Sequence, residues 1–288
     1  MIVSGWLPGL CIGWMALAAG EGAFAASEVR LDWKDNRLTV LSPRLPGGKV
    51  EIWYLEAFCR KGSTRRKWEE TVVPQQTVRL DGSGPTRHLR LKTTLEGGGV
   101  EVEHDLRAVP EGVRFDLRLT STGNQAVDVE WAQPCLQLAA FSGRTQETYL
   151  EKCFLFTDRA DNHGLTRLSE LPRNEEALYR GGQVYVPAGI DREDVNPRPL
   201  SDVVPINGLT GCFSADEKTV IAMAWDRTQE LFQGVITCMH ADFHIGGLRP
   251  GETKRRYGKL YLLDNDIPRL LRLYHQDFPH WKEDAAER

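Results

Sequence analysis

The sequence predicts an all-β protein, a large two-sheet antiparallel β-sandwich with one short C-terminal helix. Three observations carry that reading. Apolar residues recur with period two along most of the chain, turn-forming clusters separate these runs, and a helical stripe occurs convincingly only once. In a strand, alternate side chains share a face, so Val113, Phe115, Leu117 and Leu119 form one dry face. The run 100–106 precedes this segment and 127–131 follows it, joined through Pro110-Glu111-Gly112 and Ser121-Thr122-Gly123-Asn124-Gln125. These three runs predict an antiparallel meander. Further strands are expected near 29–33, 37–42, 49–59, 67–73, 76–81, 87–95, 135–141, 148–157, 219–226, 231–239 and 255–263. Short strands at this spacing, without intervening helices, favour two packed antiparallel sheets over a βαβ arrangement.

The helix is expected from Asp266, a suitable N-cap, with Pro268 in its first turn. Leu270, Leu271, Leu273 and Tyr274 make its apolar stripe, and Pro279 ends it. Residues 265–288 are therefore read as a C-terminal helix and tail, following a sandwich domain over 27–264. Inside that domain, 158–205 breaks the strand pattern with Pro, Gly, Asn and charged residues. It is expected as a long irregular insertion folded over one face or rim, with some helix over 169–179.

The 288 residues carry 36 basic and 40 acidic side chains, a formal charge of −4. Such a balance gives no sign of a nucleic-acid partner, which calls for a strongly basic face. An apolar stretch from Leu7, followed by Ala23-Phe24-Ala25, reads as a signal peptide over residues 1–26. A secreted or periplasmic protein with no membrane attachment after cleavage is expected. Past the leader remain Cys59, Cys135, Cys153, Cys212 and Cys238, an odd number that allows at most two disulfides. The alternative is that several are buried thiols packed as small hydrophobes. No Cys-x-x-Cys pair exists, and no cofactor or bound metal is expected.

The strongest site candidate is His240-Ala241-Asp242-Phe243-His244. On a strand, His240, Asp242 and His244 share one side, with successive members about 6.6–6.8 Å apart. The outer two, about 13 Å apart, cannot chelate one metal on a straight strand. A metal would need a bulge or a ligand from elsewhere, such as His163. Acid–base work needs less, since Asp242 beside an imidazole fixes its tautomer and raises its pKa. The alternative is that these groups satisfy buried backbone atoms. A second candidate, the polar run 158–164 including His163, has oxygen ligands but not EF-hand spacing. The basic loop from Arg60 to Trp68 suits an acidic glycan or an anionic surface, or is a solvated hairpin tip. Among the tryptophans, Trp131 and Trp225 read as core, while Trp53 and Trp68 are less determined, with core the default and stacking on a sugar the alternative.

The run Thr237-Cys238-Met239-His240-Ala241-Asp242, then Leu248-Arg249-Pro250-Gly251-Glu252-Thr253 and Gly258-Lys259-Leu260-Tyr261, resembles the closing strands of large secreted bacterial β-sandwich proteins. It is also similar to the galactose-mutarotase-like supersandwich found in sugar epimerases, polysaccharide lyases and hydrolases. The resemblance implies a supersandwich-like fold and a carbohydrate ligand, with a His and a carboxylate as acid and base on a concave sheet face. His240, His244 and Asp242 supply those residue types as catalytic candidates, and His163, Trp53, Trp68 and Arg60 are candidates for substrate binding. Two readings stand: an exported carbohydrate-binding or carbohydrate-modifying sandwich, or a non-catalytic exported interaction or scaffold module.

Overall fold

The computed structural model describes Met1 and residues 28–279; past Met1 the expected signal peptide lies outside the described residues, as does the charged tail. Among the described residues, sixteen strands form two antiparallel sheets. The seven-stranded sheet runs β1 (Arg30–Lys34), β2 (Arg37–Leu41), β3 (Lys49–Cys59), β8 (Trp131–Gln137), β15 (Cys238–His244), β14 (Thr228–Gly234) and β11 (Val184–Tyr185). The nine-stranded sheet starts with β10 (Leu165–Arg167), β9 (Cys153–Phe156), β12 (Thr210–Phe213), β13 (Thr219–Trp225) and β16 (Thr253–Asp264). It continues with β7 (Gly112–Ser121), β6 (Val100–Val109), β5 (His88–Leu95) and β4 (Gln75–Arg79). This is the two-sheet all-β sandwich that the alternation predicts.

The inner faces pack through the alternate apolar residues of both sheets. Val113, Phe115, Leu117 and Leu119 lie in one buried cluster with Ile52, Tyr54, Leu136, Met239, Ala241 and Phe243. An aromatic column crosses it: Tyr54 stacks on Phe115 at 5.5 Å, Phe115 meets Trp225 at 5.5 Å, and Trp225 meets Phe243 at 4.1 Å. Where Gly258 passes Trp225, a Cβ would come within 2.6 Å of the indole, so only glycine fits.

Several expected elements differ. The meander is β4–β5–β6–β7, because β7 takes β16 as its other neighbour. The 127–131 run instead leads into β8 of the other sheet, touching Leu248 through a single bridge at Val127. The expected strand over 67–73 is largely a short helix, α1 (Trp68–Thr71), with one bridge from Val72 to Cys59. Likewise 135–141 divides into the end of β8 and a short helix, α2 (Ala139–Ser142). The expected helix over 169–179 is reduced to a single 3-10 turn, Leu168–Glu170.

The C-terminal helix, α3 (Ile267–Asp277), starts where the sequence places it, with Asp266 accepting a bond from the Arg269 amide at 2.8 Å. Its buried Ile267, Leu270 and Tyr274 pack with Phe154, Phe156, Phe213, Val220, Tyr261 and Leu263. It thus covers part of the outer face of the nine-stranded sheet.

One polar group is built into the core between the sheets. His104, 3% exposed, lies between the Tyr54 hydroxyl (3.0 Å to Nδ1) and the Thr93 hydroxyl (2.9 Å to Nε2). Burial holds its pKa down, from 6.5 to about 3. The unfolded chain therefore binds this proton below pH 6.5 while the folded chain does not, so stability is present above that pH and is lost as pH falls toward 3. The loss amounts to roughly 5 kcal/mol if fully expressed. A His104→Gln variant, followed by urea unfolding across that range, is expected to have a flatter stability–pH curve than the parent.

Candidate functional site

The hairpin β14–β15 sets the first candidate. Its register pairs Phe232 with His240 and Glu230 with Asp242, placing all four on the outer face of the seven-stranded sheet. His240, Asp242 and His244 do share that face, as their spacing requires, while Met239, Ala241 and Phe243 enter the core. The insertion then covers the face. Val184, Val186 and Val195 pack with Phe232, and buried Asn196 gives its amide to Glu230 at 2.8 and 3.1 Å. Asn196 also bonds Gln133 at 3.0 Å, and Gln133 reaches Glu56 at 2.7 Å.

The result is a sealed polar layer. His240 is 2% exposed and Asp242 fully buried, so neither looks into a solvent-filled hollow. The His240 ring stacks on Phe232 at 4.0 Å, meets Cys238 Sγ at 3.2 Å through Nε2, and turns Nδ1 toward Asp242 at 3.7 Å. His240 Nδ1 and both Asp242 oxygens are buried without a hydrogen-bond partner. Burial pushes Asp242 up to about 6 despite the neighbouring imidazole, and burial followed by Asp242 raises Glu230. Burial also pulls His240 down, but Cys238 and Asp242 outweigh it and lift the ring to about 10. His244 stands apart at the strand end, bonded to Gln229 at 2.9 Å with Glu130 at 3.8 Å.

The proposed substrate-binding residues are not brought together. The Arg60 guanidinium is committed to Glu96. The rest of its loop is similarly occupied, Arg65 by Glu193, Arg66 by Asp128 at 3.6 Å and Lys61 by Asp194 at 4.0 Å. Trp53 lies under the Arg37 guanidinium at 4.8 Å, and Trp68 packs against Ala57, Cys59 and Trp131. His163 is exposed on a turn in which Arg159 ties Asp161 (2.9 Å) and Glu170 (2.8 Å). The five described cysteines are free and buried, as the thiol alternative has it. Trp131 and Trp225 are core.

A large open concavity lies elsewhere, on the part of the nine-stranded sheet that α3 leaves uncovered. It encloses about 860 Å³ over β5, β6, β7 and β16, with Asp277 and Phe278 at the end of α3 as one wall. Cross-strand register arranges the outward side chains of these four strands in rows. One row is Lys259, Arg114, Arg107 and His88, the next Tyr257, Asp116, Asp105 and Arg90, and the third Arg255, Arg118, Glu103 and Lys92. Like charges directly opposite each other destabilise a sheet, and the first row sets four basic residues side by side. Arg107 is held by Asp105 at 2.6 Å and Lys259 by Asp277 at 3.2 Å. Arg90 and Arg114 make no ion pair among the described residues. Tyr257 is 42% exposed beside them. The outward alternation of Arg114, Asp116 and Arg118 was the available signal, but the rows depend on pairings with residues as far along the chain as Lys259.

No protein-family model matches the chain, and no curated protein matches it. Solved structures do. A galactose mutarotase-like protein from Lactobacillus casei shares 9% identity over 81% of this chain and 99% of that one, with a TM-score of 0.43. A galactose mutarotase-like protein from Clostridium acetobutylicum shares 9% over 80% and 93%, with a TM-score of 0.40. An alpha-N-acetylgalactosaminidase from Bifidobacterium bifidum shares 8% over 87% of this chain but only 38% of its own length, with a TM-score of 0.49. The chain is thus weakly similar to galactose mutarotase-like proteins, and the similarity is one of fold.

Sealing of the His240 layer predicts its chemical reactivity. Diethyl pyrocarbonate, read out by peptide mass spectrometry on the native protein, is expected to modify exposed His88 and His163 while sparing His240. Modification of His240 at a comparable rate would show that the insertion opens.

Proposed function

We propose that this protein is an exported, non-catalytic carbohydrate-binding β-sandwich that takes an acidic glycan in the groove of its nine-stranded sheet. The observation that carries the reading is the row Lys259, Arg114 and Arg107 at the floor of an 860 Å³ concavity, a row that His88 continues on β5. Within that row Lys259 is held by Asp277, and Arg107 and His88 by Asp105, which leaves Arg114, with Arg90 in the next row, as the guanidinium groups that make no ion pair among the described residues. Guanidinium groups suit the planar carboxylate of a uronate or the oxygens of a sulfate ester, which they bind in a forked geometry. Asp116 in the next row supplies an acceptor for a sugar hydroxyl. The exposed Tyr257 ring offers an apolar face for sugar C–H groups.

Binding without turnover is favoured because the acid–base candidates His240 and Asp242 are closed off on the other sheet. The leader-like residues 1–26 support a secreted or periplasmic location. No helix among the described residues is long and apolar enough to cross a membrane.

Isothermal calorimetry with uronate oligosaccharides is expected to show binding that weakens as salt rises, and none with neutral oligosaccharides of equal length. Arg114→Ala and Tyr257→Ala should each lower affinity by about tenfold, the scale of one charged hydrogen bond or one lost stacking face. Absence of heat with acidic glycans, or affinity unchanged in Arg114→Ala, would reject the reading.

A further inference from the structure

The sealed face of the seven-stranded sheet brings together three soft ligands that one strand could not supply. Cys238 and His240 project from β15 two residues apart. The register that pairs Met239 with Leu136 sets Cys135 of β8 across the ladder from His240. Their ligand atoms, two sulfurs and a ring nitrogen, all lie within 4.8 Å of one another, and all three residues are buried. The Cys238 Sγ to His240 Nε2 distance is 3.2 Å. In tetrahedral zinc sites, with Zn–S about 2.3 Å and Zn–N about 2.0–2.1 Å, neighbouring ligand atoms stand roughly 3.5–3.8 Å apart. The observed spacing brackets that value, so small side-chain rotations suffice.

Two independent observations point the same way. First, His240 Nδ1 and both oxygens of Asp242 are buried without hydrogen-bond partners, although Nδ1 and Oδ1 are only 3.7 Å apart. A metal on Nε2 fixes the other tautomer, leaving Nδ1–H to donate to the carboxylate, the arrangement that usually orients a metal-bound histidine. Second, the residue paired with Cys238 is Gly234, and any Cβ there would collide with Cys238 Sγ and lie 3.3 Å from His240 Nε2. The absent side chain keeps clear the space beside the three ligands.

We propose that Cys135, Cys238 and His240 bind one zinc ion, with Asp242 as the positioning residue that orients His240. Two thiolates and a neutral imidazole suit zinc by softness and geometry, and a fourth position remains for water or a backbone carbonyl. Binding displaces one proton from each thiol and joins β8 to β15 beneath the insertion. The site is independent of the glycan groove, which lies on the other sheet.

Full-length protein grown with added zinc and purified under reducing conditions is expected to carry one zinc per chain by elemental analysis. Grown with cobalt, it should show a sulfur-to-cobalt charge-transfer band and the visible bands of tetrahedral cobalt. Cys135→Ser, Cys238→Ser and His240→Gln should each abolish retention, while Cys153→Ala with Cys212→Ala retains the metal. Asp242→Asn should keep the ion but weaken it about 10–100-fold in competition with a chelator. The cobalt spectrum of the unmodified protein decides the matter even if the ligand variants misfold. A metal-free reduced protein, a cobalt spectrum without sulfur ligation, or a native Cys135–Cys238 disulfide would overturn the proposal.

Discussion

Burial of both faces of the seven-stranded sheet is the constraint on which the rest of the molecule depends. Its central strands β8, β14 and β15 are buried at almost every position. One face joins the sandwich core and the other lies under the insertion. A strand in that setting normally reads as continuous apolar sequence. Here the outer positions are Glu230, Gln133, Cys238, His240 and Asp242, so each polar group must find its partner within the protein. Glu230 finds the Asn196 amide, Gln133 joins Glu56 to Asn196, and Gln229 reaches the Asp194 carbonyl at 3.0 Å. Polar bonds as well as the small Val184, Val186, Val195 and Phe232 cluster therefore hold the insertion in place. His240 Nδ1 and the Asp242 oxygens are the exceptions in this layer, buried without a hydrogen-bond partner although Nδ1 and Oδ1 lie only 3.7 Å apart.

The nine-stranded sheet solves the opposite problem. Its outer face is dry only where α3 lies on β9, β12, β13 and β16, and is wet over β5, β6 and β7. The boundary between the two regions makes a concavity, because the helix end stands above the sheet surface. Charged side chains at alternate positions then become a floor instead of an undifferentiated solvated face. The three rows hold seven Lys and Arg against three Asp and Glu, but acidic residues elsewhere bring the chain to −4, so its net charge gives no hint of them. The first row has local basic excess because antiparallel register brings Lys259, Arg114, Arg107 and His88 into line.

Fold class was legible in the sequence because strand alternation is a local property. Val113 to Leu119 declares its dry face from seven consecutive residues, and the core retains that face. Asp266 and Pro268 announce the C-terminal helix by the same local logic, as cap and first turn. The sides of His240, Asp242 and His244 were also readable, since period two decides them. The meander was misassigned at its third strand because 127–131 has the right pattern but pairs away from β7, Val127 with Leu248 and Trp131 with Cys59 and His244. Alternation specifies a strand's faces and is silent about its neighbours.

By itself, then, the sequence determined the two-sheet all-β class, the buried positions of most strands, the final helix and the shared side of the histidine run. Tertiary structure alone decided that β16 inserts beside β7, that residues 158–205 seal the histidine face, that Cys135 meets Cys238 and His240, and that the open hollow belongs to the other sheet. The physical reason is one of range. Backbone geometry orients each side chain from its immediate neighbours, whereas pairing and coverage depend on burial summed over segments far apart in the chain.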